Sequence, residues 1–278
     1  MLDPGRADPS LLHLVDGVMT ELLAKSARLR SSEVLLVGAH CRDILQSAFG
    51  HEFPLRATSD IDLGLAMANW AAYDELVGSL RPAGDTGIRF QVAQTVADLM
   101  PFGPVENPPG TVVPATRREP ISVWGFSEVF KVALPLELPS AGTIRIPSAA
   151  GYAALKLVAW LDRSAYGEYK DASDIATVMY WYSTSPAVET HLYEAEHGQD
   201  LLVEEGLDNT AAAVRVLGEE TAGIVGAKRV SEIAGRWPGM PGEILVRHMN
   251  VTNASGWPDD PRRRAALLQA MARGLGIG

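Results

Sequence analysis

The chain carries two aspartates at alternate positions at the start of an apolar run, residues 60–65 (DIDLGL). If this run is a β-strand, alternation sends Asp60 and Asp62 to one face while Ile61 and Leu63 enter the core. Two carboxylates at one strand end repel each other unless a cation lies between them, and hard oxygen ligands suit Mg²⁺. The alternative is a strand with a solvated polar face. An isolated pair of this kind does not decide between the two.

A short strand and a glycine precede this acidic pair. The apolar residues 34–37 predict a buried strand that ends at Gly38, and the following segment has helical periodicity. Free backbone N–H groups at such a helix N-terminus bind phosphate, although many proteins turn from strand to helix at glycine. We therefore predict nucleotide contacts at Gly38, Ala39 and Arg42. Ser59, before the acidic strand, is a further candidate, with a capping role as its alternative.

A third acid, Asp98, interrupts another strand-like apolar run. Aspartate is disfavoured in strands, and a buried carboxylate needs hydrogen bonds, a cationic partner or a metal. If its strand lies beside that of Asp60 and Asp62, the three acids could hold metal ions for in-line phosphoryl or nucleotidyl transfer. Mg²⁺ is the expected ion and Mn²⁺ the second candidate.

The order of these motifs resembles the nucleotidyltransferase superfamily, in which a Gly-Ser turn and a helix precede D-x-D and a later third aspartate. Two further segments, residues 153–163 (AALKLVAWLDR) and 169–175 (YKDASDI), resemble the later motifs of the AbiEii/AbiGii-type nucleotidyltransferase toxins, which include the MenT toxins. The resemblance covers residues 34–181. The chain departs from the pattern at Ala39, which stands where the family has Ser or a second Gly.

The resemblance implies roles for residues of the second half. In the family, a lysine on one helix and an aspartate of a K-D-x-x-D segment complete the active site, which assigns catalytic roles to Lys156 and Asp171. Asp174 would support them, and Arg56 and Arg163 are candidates for contacts with phosphate or acceptor. By position alone, however, Lys156 is a lysine that extends from a core face to water. Its removal is then expected to leave stability nearly unchanged.

Hydropathy and patterning predict an α+β protein with two lobes. Residues 1–147 alternate strand and helix patterns, which predicts a mixed β-sheet with flanking helices. Residues 148–278 are mainly helical, and the resemblance implies that this lobe completes an active-site cleft. Within the first lobe we predict helices over residues 10–28 and 70–80, and a strand over residues 129–138.

The same features bear on the cellular setting. No apolar run approaches the roughly 20 residues needed to cross a bilayer, and the N-terminus lacks the apolar core of a signal peptide. A single cysteine, Cys41, excludes an internal disulfide, so a cytoplasmic protein without membrane contact is expected. The net charge of −10 does not indicate broad nucleic-acid binding, because that affinity comes largely from Lys and Arg.

The resemblance implies an enzyme in which an acceptor hydroxyl attacks the α-phosphorus of a nucleoside triphosphate and pyrophosphate leaves. Asp60, Asp62, Lys156 and Asp171 would form its catalytic set. It further implies a toxin that modifies the acceptor end of tRNA and is opposed by a separately encoded antitoxin. Two alternatives stay open. One is a small-molecule nucleotidyltransferase of the aminoglycoside type, with an acidic acceptor site, and the other is a relative that binds nucleotide without turnover.

Overall fold

The structure, a computed structural model, describes residues 3–116, 119–240 and 242–277. The chain divides into two compact units, of which one ends at Ser148 and the other begins at Ala149. The described strands lie in the first unit, and the second unit is helical. The predicted α+β class, a mixed sheet with flanking helices followed by a helical region, is therefore confirmed. The catalytic role assigned to each lobe stays a prediction.

The first unit is built on a seven-stranded mixed sheet, within the part of the chain that the structure describes. In chain order the strands are β1 (Val34–Val37), β2 (Asp60–Ala66), β3 (Arg81–Pro82), β4 (Arg89–Val92), β5 (Thr95–Phe102), β6 (Thr111–Val112), β7 (Ile121–Ser122), β8 (Leu134–Leu138) and β9 (Gly142–Ile146). Their order in the main sheet is β3-β4-β5-β2-β1-β9-β8, while β6 and β7 form a separate pair. The predicted acidic strand is thus central: β2 runs antiparallel to β1 and parallel to β5.

Four helices belong to the described part of the first unit: α1 (His13–Lys25), α2 (Gly38–Ala48), α3 (Trp70–Gly78) and α4 (Phe126–Lys131). The helices predicted over residues 10–28 and 70–80 are both shorter in the structure, where they are α1 and α3. A 3₁₀ turn, Pro9–Leu12, replaces the start of the first, because Pro9 begins a tighter turn capped by Asp8. Asn69 caps α3 as its side-chain oxygen accepts a hydrogen bond from the Ala72 N–H at 3.0 Å.

The predicted strand over residues 129–138 is wrong in its first half. Gly125, with φ of +78°, turns the chain into α4, and the strand β8 begins only at Leu134. The apolar run has no clear period of two or of 3.6, so helix and strand could not be separated by pattern. Pro135 fits β8 because this strand lies at the sheet edge, where a missing N–H is tolerated.

The helices of the second unit are α5 (Ala149–Arg163), α6 (Lys170–Ser183), α7 (Pro186–Glu194), α8 (Glu196–Glu204), α9 (Asn209–Arg236), α10 (Gly242–His248) and α11 (Pro261–Leu275). Trp160 and Trp181 are fully buried in its core. Gly218 and Gly274 let α9 and α11 pack closely, since a Cβ on Gly218 would lie 2.3 Å from the Met271 carbonyl oxygen. None of the helices in the described ranges has the length and hydropathy required to cross a membrane.

Candidate functional site

The three predicted metal-binding acids share one face of the sheet. Asp62 on β2 is the direct partner of Asp98 on β5, and Asp60 precedes Asp62 by two residues on the same face. The alternate residues Ile61 and Leu63 are fully buried, as a two-faced strand requires. The structure therefore brings together three carboxylates that lie up to 38 positions apart in the sequence (98 minus 60).

Gly38 lies directly against one of these acids. Val37, the residue before it, pairs with Asp62 across β1 and β2. A Cβ on Gly38 would lie 1.9 Å from Oδ2 of Asp62, and the Gly38 backbone has φ of +69°. Glycine is required twice here, for space and for the left-handed conformation. The Asp62 carboxylate thus lies at the first residue of α2, where the helix dipole favours negative charge.

A cation not anticipated from the sequence, Arg89, lies among the acids. Its Nη2 contacts Oδ2 of Asp60, and its Nε lies 3.9 Å from Oδ1 of Asp98. Arg89 is the cross-strand partner of Asp98 in the β4–β5 hairpin, so both side chains leave the same face. Ser59 Oγ donates a hydrogen bond to the other Asp60 oxygen at 3.0 Å. The acidic face is consequently part of an ion-pair network.

The ligand chemistry of these acids suits a divalent metal, but their side chains are not arranged to hold one in this structure. Carboxylate oxygens are the ligands that Mg²⁺ and Mn²⁺ prefer, and Asp60 and Asp98 are each between a fifth and about a third exposed. Across the described ranges, however, no group of three or more His, Cys, Asp or Glu side chains is arranged to hold a metal ion. The Asp60 carboxylate is in contact with Arg89. A metal would have to replace that contact.

Other predicted nucleotide contacts differ in accessibility. Arg42 is 1% exposed, and its Nη2 donates to Oδ1 of Asp43 at 2.8 Å and to the Arg56 carbonyl at 2.7 Å. It therefore anchors the loop before β2, and a nucleotide contact would require it to leave these partners. Ala39 is buried in the first turn of α2, whereas the side chain of Arg56 is exposed. Burial lowers the pKa of His40 in the same helical turn, which keeps its ring neutral at pH 7.

The second unit contains a buried charge cluster, which we define as Lys156, Asp171, Asp174 and Arg163. Nζ of Lys156 lies 2.6 Å from Asp174 Oδ2 and 3.2 Å from Asp171 Oδ1. Arg163 Nη1 lies 3.4 Å from the other Asp171 oxygen. Asp171 and Asp174 are almost fully buried, and Arg163 is half-exposed. The sequence-predicted residues of this half therefore do meet, on the facing helices α5 and α6.

The expectation that Lys156 extends to water is wrong. Its side chain is only 11% exposed, and Nζ also lies 5.3 Å from the Tyr152 ring centroid. Burial by itself would lower the pKa of Lys156, but attraction by Asp174 and Asp171 outweighs it and raises that pKa. The amine stays charged because two carboxylates replace its lost water. Helical spacing alone does not reveal this partner pair.

Comparisons with known proteins add no family to this geometry: no model of a known family matches the chain, and neither does any curated protein. The resemblance to the AbiEii-type toxins therefore rests on the motifs quoted above alone.

Proposed function

We propose that this chain is a metal-dependent nucleotidyltransferase, which moves a nucleoside monophosphate from a nucleoside triphosphate to an acceptor hydroxyl. The observation that supports this best is the contact of Asp62 with Gly38. It puts one of three clustered carboxylates against the first turn of a helix that follows a strand and a glycine. A candidate metal ligand is thereby adjacent to backbone N–H groups that could bind phosphate, an arrangement that suits phosphoryl chemistry.

In this proposal, residues of the first unit bind the metal ions and the phosphate oxygens of the nucleotide. One or two Mg²⁺ ions would be held by Asp60, Asp62 and Asp98. When bound, such ions would neutralise charge on the triphosphate and activate the acceptor hydroxyl as a nucleophile. The backbone N–H groups of Gly38 and Ala39 would bind phosphate oxygens. A metal ion that binds Asp60 would have to displace the contact between Asp60 and Arg89.

The charge cluster supports a more limited role for the second unit. Lys156 already has two carboxylate partners, so its charge is largely offset. Arg163 is the half-exposed cation of the cluster and is the better candidate for contact with a phosphate group. We assign Lys156, Asp171 and Asp174 to holding this arrangement.

The acceptor proposed is the end of tRNA, with the protein acting in the cytoplasm as a toxin that a separately encoded antitoxin opposes. This follows from the resemblance at residues 153–163 and 169–175. An aminoglycoside acceptor would instead need acidic residues around the acceptor hydroxyl.

Label transfer tests the proposal. The protein would be incubated with Mg²⁺, each α-labelled nucleoside triphosphate and total tRNA, and in parallel with an aminoglycoside. We expect label in tRNA, lost in Asp62→Asn and retained in the control Asp74→Asn, which changes an exposed acid on α3. Label in the aminoglycoside alone would overturn the toxin assignment. Absence of label in every acceptor, with nucleotide bound, would favour a non-enzymatic relative.

The acceptor contact has its own test. If Arg163 meets tRNA phosphate, Arg163→Gln should weaken tRNA transfer and flatten the salt dependence of tRNA binding, because one fewer counterion is released. Nucleotide binding should change little. Arg262→Gln, at the exposed start of α11, provides the matched control. Equal losses in the two variants would remove Arg163 from the acceptor site.

A further inference from the structure

Two buried side chains of α2 hold the segment without helix or strand that leads from this helix to β2. Gln46 Nε2 donates a hydrogen bond to the Phe53 carbonyl at 2.6 Å, and Arg42 Nη2 donates one to the Arg56 carbonyl at 2.7 Å. Arg42 and Gln46 are four residues apart and therefore lie on one face of the helix. Because they are only 1% and 5% exposed, water competes little for these bonds.

The same face of α2 leads to its N-terminus. Gly38 lies four residues before Arg42, and it is the residue whose Cβ position is filled by the Asp62 carboxylate. Helical side chains lean toward the helix N-terminus, so the guanidinium of Arg42 extends toward the first turn. The Arg56 carbonyl bonded to it is thereby fixed near that turn. The side chain of Arg56 is exposed and forms no ion pair with the other residues that the structure describes.

We propose that Arg42 is a positioning residue for the nucleotide and that it acts through Arg56. By holding the backbone of residues 53–59 on α2, it presents the Arg56 guanidinium to a phosphate group at the helix N-terminus. The inference rests on the proposed function, which takes the N–H groups of Gly38 and Ala39 as phosphate donors. It goes beyond that function because it replaces a direct contact of Arg42 with the nucleotide by an indirect role.

The surroundings of the two arginines support this division. Arg42 is almost fully buried and already donates to Asp43 and to the Arg56 carbonyl, so a phosphate would have to displace these partners. Arg56 is exposed, and a planar guanidinium can give two parallel hydrogen bonds to phosphate oxygens. A segment that is fixed before binding loses less conformational freedom when its side chain contacts a ligand. Arg42 therefore lowers the entropic cost of the Arg56 contact.

A double-mutant cycle tests whether Arg42 acts through Arg56. Calorimetry with Mg²⁺ and the full-length protein first identifies which of ATP, CTP, GTP and UTP binds most tightly, and that nucleotide is the probe. We expect Arg56→Gln to weaken its binding about tenfold, the scale of one charge-assisted hydrogen bond. Arg42→Lys keeps the buried charge but loses the planar fork, and should weaken binding about fivefold, the scale of immobilising one side chain.

The cycle has a result that a purely structural role would not give. In the Arg56→Gln background, Arg42→Lys should have no further effect on nucleotide affinity, because the residue through which it acts is already gone. Arg81→Gln, at an exposed position on β3, is the control for net charge and should bind the probe as wild type does.

Trypsin cleavage after Arg56 measures the placement of the segment independently. The bond to Ala57 should be cut faster in Arg42→Lys and in Gln46→Met than in wild type, because each variant loses a donor that holds the backbone. Gln46→Met keeps a side chain of similar length, and it takes the place of Arg42→Lys in the cycle if that variant does not fold. Bound nucleotide should slow the cleavage of wild type.

The outcomes separate this inference from the function on which it rests. If the losses of affinity in Arg42→Lys and Arg56→Gln add in the double variant, Arg42 does not act through Arg56 and the inference is overturned. Equal affinity in Arg56→Gln and Arg81→Gln would overturn it as well, while label transfer by wild type would leave the proposed function standing. If wild type binds none of the four nucleotides, the proposed function and the inference are both wrong.

Discussion

Each of the two units contains a cluster of charged side chains, and the two clusters differ in their exposure to water. On the sheet, Asp60 and Asp98 both lie near Arg89, and the three side chains are partly exposed. In the helical unit, two acids and two cations form a balanced cluster whose acids are buried. Water competes for the partners of a partly exposed ion pair, whereas a buried pair depends on its partner charges alone. The comparison separates the partly exposed acids, which are the metal ligands of the proposed function, from the charge cluster, whose ion pairs are buried.

Burial also sets how each site should respond to mutation. Exposed ion pairs contribute about 0–1 kcal/mol, because water competes for both partners. A buried pair that loses one partner leaves an uncompensated charge, at a cost of about 3–5 kcal/mol. The predictions below test that contrast, in order of decreasing effect.

The largest effect is expected for Lys156→Ala. It leaves two carboxylates buried without their ammonium partner, so the free energy of unfolding should fall by about 3–5 kcal/mol in urea denaturation. Asp162→Ala, which removes an exposed pair with Arg236, should cost at most about 1 kcal/mol. The triple neutral variant Lys156→Met, Asp171→Asn, Asp174→Asn should recover much of the loss. If Lys156→Ala leaves the free energy of unfolding unchanged, the cluster is not a structural network.

The second prediction compares one carboxylate from each unit. Asp62→Asn should retain its unfolding temperature while transfer falls about a hundredfold, the scale of losing one charge-stabilising group in an active site. Asp171→Asn should instead lose about 1–3 kcal/mol of stability, because a buried hydrogen-bonded charge is removed from two cations. Unfolding and label transfer are measured on the same preparations. The contrast fails if Asp62→Asn is the less stable of the two.

The third prediction concerns the glycine beside Asp62. Gly38→Ala and Gly50→Ala both put alanine in the left-handed region, at about 1–2 kcal/mol each. Only Gly38 has a neighbour in the way, since nothing lies within 4 Å of a Cβ at Gly50. Gly38→Ala should therefore cost more. Asp62→Ala in the same chain removes the two nearest atoms but keeps the Asp62 Cβ at 2.8 Å, so a double-mutant cycle should show that it relieves part of that excess. Equal costs would mean that Asp62 moves aside freely.

Local signals in the sequence were sufficient for most elements of the fold. A continuous apolar run and its glycine break identified β1 and α2, and alternation identified β2. The helix predicted from residue 70 is α3, which Asn69 caps. Asp260 followed by Pro261 is a local signal of the same kind at the start of α11, where Asp260 accepts a hydrogen bond from the Arg262 N–H. The run from Val129 lacked a period, so its helix was missed. Pro101 and Phe102 complete β5 in spite of the proline, because the parallel pairing with β2 continues to Ala66 and Phe102.

The acids were found because each interrupts an apolar run, but their cationic partners leave no such mark. Arg89 could have been located from register: a two-residue turn at residues 93–94 pairs Val92 with Thr95 and hence Arg89 with Asp98. That turn contains no glycine, although both residues have positive φ, so its type was not evident. The charge cluster depends on how α5 packs on α6. Such tertiary contacts do not follow from the spacing of residues along one helix.

The smallest effect should appear at alkaline pH. Attraction by Asp174 and Asp171 raises the pKa of Lys156 above its ordinary value of 10.5 in spite of its burial. The folded protein then holds this proton at a pH where the unfolded chain has lost it. The stabilisation is full below about pH 10.5 and is lost as pH rises through the folded pKa, by at most about 1.4 kcal/mol per pH unit. Urea denaturation between pH 9 and 11 should therefore show wild type losing stability faster than the triple neutral variant. Lys25→Met, at the surface of α1, controls for the number of lysines. Parallel decline in wild type and the triple variant would mean that the buried cluster contributes no proton-linked stability, and that the two units differ in burial but not in the strength of their charge interactions.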